Sequence, residues 1–183
     1  MHMPNNDAVT FTRDCEAVLI PAGDLVEIPE GTHGNITQAL GGSFTVYIAG
    51  NLIRVAGEDA DAIGQEQPEP LTLPPDAHDE DIEALAVEQL RTVFDPEIPI
   101  NVLDLGLIYE CQFDHSNPDA RTIYVEMTLT APGCGMGDII ADDLRNSLLI
   151  IPTVERVDVE IVLDPPWSME MMSDAAKLQV GMI

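Results

Sequence analysis

The chain has 183 residues, 45% of them hydrophobic but only 4% aromatic, enough for one ordinary domain or two small ones with cores of Val, Ile, Leu and Ala. It carries 33 acidic residues against 7 Lys plus Arg, a formal charge of −26 at pH 7. A surface of that sign repels phosphate backbones and anionic lipid, which excludes a general nucleic-acid binder and disfavours a membrane-surface protein; it suits solubility or a basic protein partner.

No apolar run approaches the roughly 18 residues of a membrane helix. Met1 to Thr10 is polar and lacks the basic and apolar blocks of a signal peptide. Cys15, Cys111 and Cys134 are too few and too scattered for a disulfide framework. The expectation is a cytoplasmic protein in a reducing compartment.

Residues 10–57 read as a small β-rich module, a miniature barrel being one arrangement of it. Ala17–Ile20 and Phe44–Ile48 are strand-like, and Ala49-Gly50-Asn51 joins the latter to Leu52–Val55 as a hairpin. Gly31, Gly34, Gly41 and Gly42 punctuate the rest, with His33 in a glycine turn. Residues 58–77, mixing acids with Pro68, Pro70, Pro74 and Pro75, read as a linker.

Residues 78–167 read as a second domain. Ile82, Leu85, Ala86, Leu90 and Val93 follow helical spacing, and Asp79, Glu80 and Asp81 suit the helix start. Asp95-Pro96-Glu97-Ile98-Pro99 then enforces an ordered loop. A strand follows with Leu107, Tyr109, Cys111 and Phe113 on one face. After the turn at 114–120 comes another, with Arg121, Ile123, Val125, Met127 and Leu129 alternating against Thr122, Tyr124, Glu126, Thr128 and Thr130. Spacing predicts a helix from Met136 to Leu149 and a third strand with Val157, Val159, Ile161 and Leu163 on one face. Helix–strand–strand–helix–strand is an α+β layer. Residues 168–183 read as a helical tail through Met171, Ala175 and Leu178.

Cys134 is the chemical centre of this pattern. Pro132, Gly133 and Gly135 surround it between a strand end and a helix start, where converging amides and the helix end favour a thiolate. That predicts a depressed thiol pKa and a reactive or metal-binding cysteine. Cys111 reads as core, and Cys15, between Asp14 and Glu16, as structural. His2, His33, His78 and His115 lack zinc-site spacing. Asp95, Glu97 and Asp104, in and after the proline loop, are candidate supporting carboxylates, and Thr130 a candidate hydrogen-bond donor to the thiolate. A stable iron–sulfur cluster takes about four thiolates. One well-placed cysteine therefore implies ligands shared with a second copy, a client or a small thiol, and shared ligands imply labile binding.

Three segments carry a resemblance: Asp95–Pro99, Asp104-Leu105-Gly106-Leu107-Ile108-Tyr109, and Leu129-Thr130-Ala131-Pro132-Gly133-Cys134. Over about residues 78–167 they resemble the iron–sulfur assembly domain shared by SufT, the PaaD-type proteins and a eukaryotic cytosolic cluster-targeting subunit. Asp164-Pro165-Pro166-Trp167-Ser168, Met171-Met172-Ser173 and Ile36–Val46 resemble the SufT branch in particular. The resemblance implies a non-enzymatic accessory role in maturing iron–sulfur proteins beside the SUF scaffold machinery, with scaffold or carrier proteins and client apoproteins as partners and a transient cluster as cargo. It implies Cys134 as the motif cysteine, Asp95 and Glu97 in the acidic loop, and Asp104 and Thr130 completing the pocket with Gly133 and Gly135. Where many relatives carry Pro after the cysteine, this chain carries Gly135. A pure adaptor and a cysteine-dependent transferase are the competing readings.

Overall fold

A computed structural model describes residues 7–40, 43–67, 69–95, 97–133 and 135–182. Cys134, Pro96, Gly41 and Gly42 therefore lie outside the described residues. The chain divides into two compact units, Met1–Glu69 and Pro70–Ile183.

The first unit holds β1 (Asp7–Thr10), β2 (Cys15–Ile20), β3 (Leu25–Ile28), β4 (His33–Leu40), β5 (Ser43–Ile48) and β6 (Asn51–Val55) in one antiparallel sheet, ordered β1-β4-β5-β6-β2-β3. With β1 and β3 at its edges, the described sheet is open, not the miniature barrel considered above. The β5–β6 hairpin forms at the predicted turn, where Ala49 and Gly50 take φ of 47° and 93°, the left-handed pair that fits a two-residue connection. His33 opens β4 instead of lying in a turn, with Nδ1 2.8 Å from Thr10 Oγ1. Gly34 belongs to the same strand, and glycine suits the position because a Cβ there would come 2.6 Å from Val46 Cγ1. Phe11, Val46, Ile53 and Val55 form the centre of this core.

The segment read as a linker from residue 58 begins as ordered structure. Gly57–Ile63 is a 3-10 turn that buries Ala60, Ala62 and Ile63. Arg13 ties it down through Asp59 and Asp61, each at 2.8 Å. Three apolar side chains anchor it, and the acids around them mask that pattern in an average composition. Leu71 and Leu73, farther along, pack against the core of the second unit.

The second unit holds α1 (Asp79–Leu90), β7 (Ile108–Asp114), β8 (Arg121–Met127), α2 (Gly137–Leu149), β9 (Val154–Ile161) and α3 (Asp174–Gln179). This is the expected α+β layer. Strands β7 and β8 pair antiparallel, and β8 and β9 pair parallel across the α2 connection. Ile82, Ala86 and Leu90 of α1 and Leu144 and Leu148 of α2 join Ile123, Val125 and Met127 of β8 in one core. Each of the Ile, Leu, Val and Met side chains contributes about 1.5–3 kcal/mol of burial. At the start of α1 the Asp81 carboxylate accepts the His78 N–H at 2.7 Å.

Three predicted faces differ. Ile108 pairs with Met127 but Glu110 with Glu126, so Tyr109 is an extra residue in β7. This bulge breaks the alternation assigned to Leu107, Tyr109, Cys111 and Phe113. Cys111 and Phe113 still pack on the core, whereas the Tyr109 hydroxyl donates to Pro165 O at 2.7 Å. Leu163 lies past the end of β9 and is exposed. In the tail, Met172 and Ala176 are buried rather than Ala175 and Leu178, because a 3-10 turn at Met169–Met171 shifts the phase. No helix among the described residues is long and apolar enough to cross a membrane.

Candidate functional site

The loop after α1 is organised by one carboxylate. Asp95 is 4% exposed, and its Oδ1 accepts the backbone N–H groups of Glu97 and Ile98, both at 2.9 Å. Proline on either side of that turn limits its conformations, so the aspartate closes a loop the sequence already restricts. The Thr130 hydroxyl approaches Asp95 Oδ2 at a long 3.5 Å, linking this loop to the segment after β8.

Asp95, Glu97 and Thr130 line one cleft together with Leu129, Ala131, Met136, Gly137 and Ile140. It lies between the proline loop and the start of α2. Gly137 begins the helix, and a Cβ there would come 2.7 Å from Leu129 Cδ1, so a larger residue would require the Leu129 side chain to move. Gly133 has a φ of +81° with open space where a side chain would project, and Gly135 is exposed. These residues flank Cys134 in sequence.

Asp104 is not among the residues lining this cleft. Its Oδ2 accepts from Asn101 Nδ2 at 2.6 Å and faces Arg91 Nη1 at 3.3 Å, while its own N–H donates to Asn101 Oδ1. The Asn101 hydrogen bond, with Ser173 and Arg91 adding to it, holds the Asp104 carboxyl below the usual carboxylate range. A depressed folded-state pKa gives stability above the unfolded value, lost as pH falls through the folded one. The stability gap between wild type and Asp104→Asn should therefore be constant near neutrality and shrink below about pH 4. Urea midpoints across that range check it, and a pH-independent gap would refute the assignment.

The tail, which sequence reasoning left without a role, is strapped to the same loop. Trp167 Nε1 donates to Leu105 O at 2.7 Å, the Ser173 N–H donates to Asp104 O at 2.8 Å, and Gln179 Nε2 reaches Pro99 O at 3.3 Å. Gly106, with φ +73°, lies directly beneath the Met171 carbonyl. Sequence spacing could not show this, since the hydrogen-bonded partners lie between 62 and 80 residues apart. A second group missed in the sequence lies at the hairpin turn, where His115 stacks on Phe113 and Arg121 Nη2 donates to Asp79 Oδ1 at 2.6 Å. Arg121 is 6% exposed and also bonds Thr153 Oγ1 at 2.7 Å, so the cluster is structural.

Burial disfavours the thiolate at both described cysteines. Cys15 is 2% exposed, and burial first, then Asp59, raises its pKa. Burial pushes the Cys111 thiol up to about 11.

The family model described as iron–sulfur cluster assembly protein matches residues 83–161, which include the cleft and the Cys134 segment. An Fe-S protein maturation auxiliary factor from Porphyromonas gingivalis is 41% identical over 97 residues, covering 53% of this chain and 89% of that one. The Fe-S protein maturation auxiliary factor SufT from Staphylococcus aureus is 42% identical over 89 residues, covering 49% of this chain and 97% of its own. The chain belongs to the iron–sulfur cluster assembly protein family. Its assembly domain is also similar to the crystal structure of a domain of unknown function from Bacillus anthracis, with 34% identity and a TM-score of 0.51 over 57% of this chain and 95% of that one.

Proposed function

We propose that this protein is an accessory factor in the maturation of iron–sulfur proteins, passing or guiding a cluster to client apoproteins with Cys134 as a transient ligand. Membership of the assembly family and its resemblance to maturation auxiliary factors support the role. The observation that carries the transient character is the placement of the other described thiols: Cys15 is buried in the core of the first unit and Cys111 packs against the core of the second, so neither is presented at the surface beside the Cys134 segment. Cluster ligands beyond Cys134 then come from a second copy, a scaffold or carrier protein, a client or a small thiol. Asp95, Glu97 and Thr130 line the wall of the cleft beside the Cys134 segment, where Glu97 is the exposed carboxylate. The role is non-enzymatic, the cluster being cargo.

A second reading, a pure adaptor, is favoured by one observation. Asp95 Oδ1 and Asp104 Oδ2 are spent on short hydrogen bonds within the fold rather than held ready for a metal.

The test is anaerobic incubation with iron and sulfide, desalting, and comparison of visible absorption for wild type and Cys134→Ser. Native alkylation with peptide mapping accompanies it. We expect a cluster spectrum in the wild type alone, and labelling at Cys134 while Cys15 and Cys111 react only after unfolding. No cluster in either protein, with partner binding intact in both, favours the adaptor. Rapid native labelling of Cys15 or Cys111 would defeat the argument from thiol count.

A further inference from the structure

Both long helices of the assembly domain pack on one face of the β7-β8-β9 sheet, and the other face is open: Glu110, Gln112, Tyr124 and Glu160 are exposed on it. Its residues lie in strict register. Glu110 stands opposite Glu126, which stands beside Glu160, so three glutamates cross the sheet in one row. The next row is Gln112, Tyr124 and Asp158, and the two rows line a shallow groove. Neighbouring strands are about 4.8 Å apart, and like charges at that spacing oppose sheet formation. The one base of the outer face, Arg156, is already bound to Asp158 at 2.9 Å.

A second copy of this chain is a poor occupant. Of its 7 cationic residues, Arg13, Arg91, Arg121, Arg145 and Arg156 are ion-paired internally. Nucleic acid and anionic lipid have the wrong sign. A lone metal ion fits poorly too: among the described residues no group of three or more His, Cys, Asp or Glu is placed to hold one. Tyr124, 44% exposed at the centre of the middle strand, adds an aromatic face of the kind that receives a Lys or Arg side chain.

We propose that this face docks a basic segment of another protein, its Lys or Arg side chains lying along Glu110, Glu126 and Glu160 and one of them resting on Tyr124. The row would then be stabilised in the complex by the charges it lacks alone.

The test measures binding of a fluorescein-labelled synthetic peptide of alternating Lys and Ser to the full chain by anisotropy. Glu110→Gln/Glu126→Gln/Glu160→Gln is compared with Glu80→Gln/Glu88→Gln/Glu155→Gln, an equal charge change elsewhere on the same unit. We expect the sheet triple to weaken binding about tenfold and the control less than about twofold. Tyr124→Ser, which changes no charge, should weaken it about threefold. If the sheet triple folds poorly, Glu126→Gln alone still ranks below each single control. Equal weakening by the two triples would overturn the proposal in favour of diffuse net charge. Spermine binding with the same dependence on the three glutamates would overturn it in favour of a small-cation site. The probe contains neither iron nor sulfide, so the result is independent of the chemistry proposed for Cys134.

Discussion

Replacing Asp95 with Ala should destabilise the assembly domain by about 2–4 kcal/mol and lower its thermal midpoint by roughly 10 °C. The carboxylate is almost fully buried and accepts two short backbone hydrogen bonds, from Glu97 and Ile98. Hydrogen bonds to a charged group are worth about 1.5–3 kcal/mol each, and those donors regain only part of that from water. Asp95→Asn keeps an acceptor in the same place and should cost about 1 kcal/mol. Thr130→Val removes only the long contact and should cost less than about 0.5 kcal/mol. Thermal unfolding of the three variants by circular dichroism checks the order. If Asp95→Ala and Asp95→Asn were equally stable, the aspartate would not be the loop's organiser. The cleft wall would also lose its shape in Asp95→Ala, so cluster retention should fall even where the variant remains folded.

Gly106→Val should be the most damaging single change in the strap between loop and tail. At φ +73° any residue with a Cβ is strained, by about 1–2 kcal/mol for a left-handed conformation. Here the Cβ also runs into the Met171 carbonyl, a backbone atom that cannot rotate away. The tail must therefore lift, and with it go the Ser173–Asp104 hydrogen bond and the burial of Met172 and Ala176. We expect a loss of about 3–5 kcal/mol or local release of residues after 167. Trp167 is the only tryptophan in the chain and donates to Leu105 O, so its emission should shift to the red. Gly133→Ala is the control: its φ is +81° but, among the described residues beyond its chain neighbours, nothing lies within 4 Å of the added atom, so it should cost only about 1 kcal/mol. Equal losses at Gly106 and Gly133 would show that backbone strain, not the tail contact, governs both.

Where one physical pattern repeats within a segment, the sequence was readable. The alternation of Arg121, Ile123, Val125 and Met127 reappears as the buried face of β8, and the spacing of Ile82, Ala86 and Leu90 as the buried stripe of α1. Pro132, Gly133 and Gly135 likewise marked a strand–loop–helix junction between β8 and α2, and the motifs around it pointed to the family that the comparisons show. Local pattern failed wherever a partner distant in sequence decided the outcome. The bulge at Tyr109 exists in the pairing with β8, and β4 runs through Gly34 in its pairing with β1, where Val46 crowds out any larger side chain. The 3-10 turn after Gly57 is fixed by Arg13 across more than 40 residues of chain.

Periodicity, charge and turn chemistry are properties of neighbours along the chain, and they were enough for the element order of the second unit, the acidic composition and the junction after β8. Folding in three dimensions was needed to bring Asp95, Glu97 and Thr130 to one cleft and to turn Asp104 toward Arg91 and the tail. It also decided that Glu110, Glu126 and Glu160 stand in one row. Such groupings depend on strand register and on loops closed by single hydrogen bonds, and those are selected by packing between segments far apart in sequence.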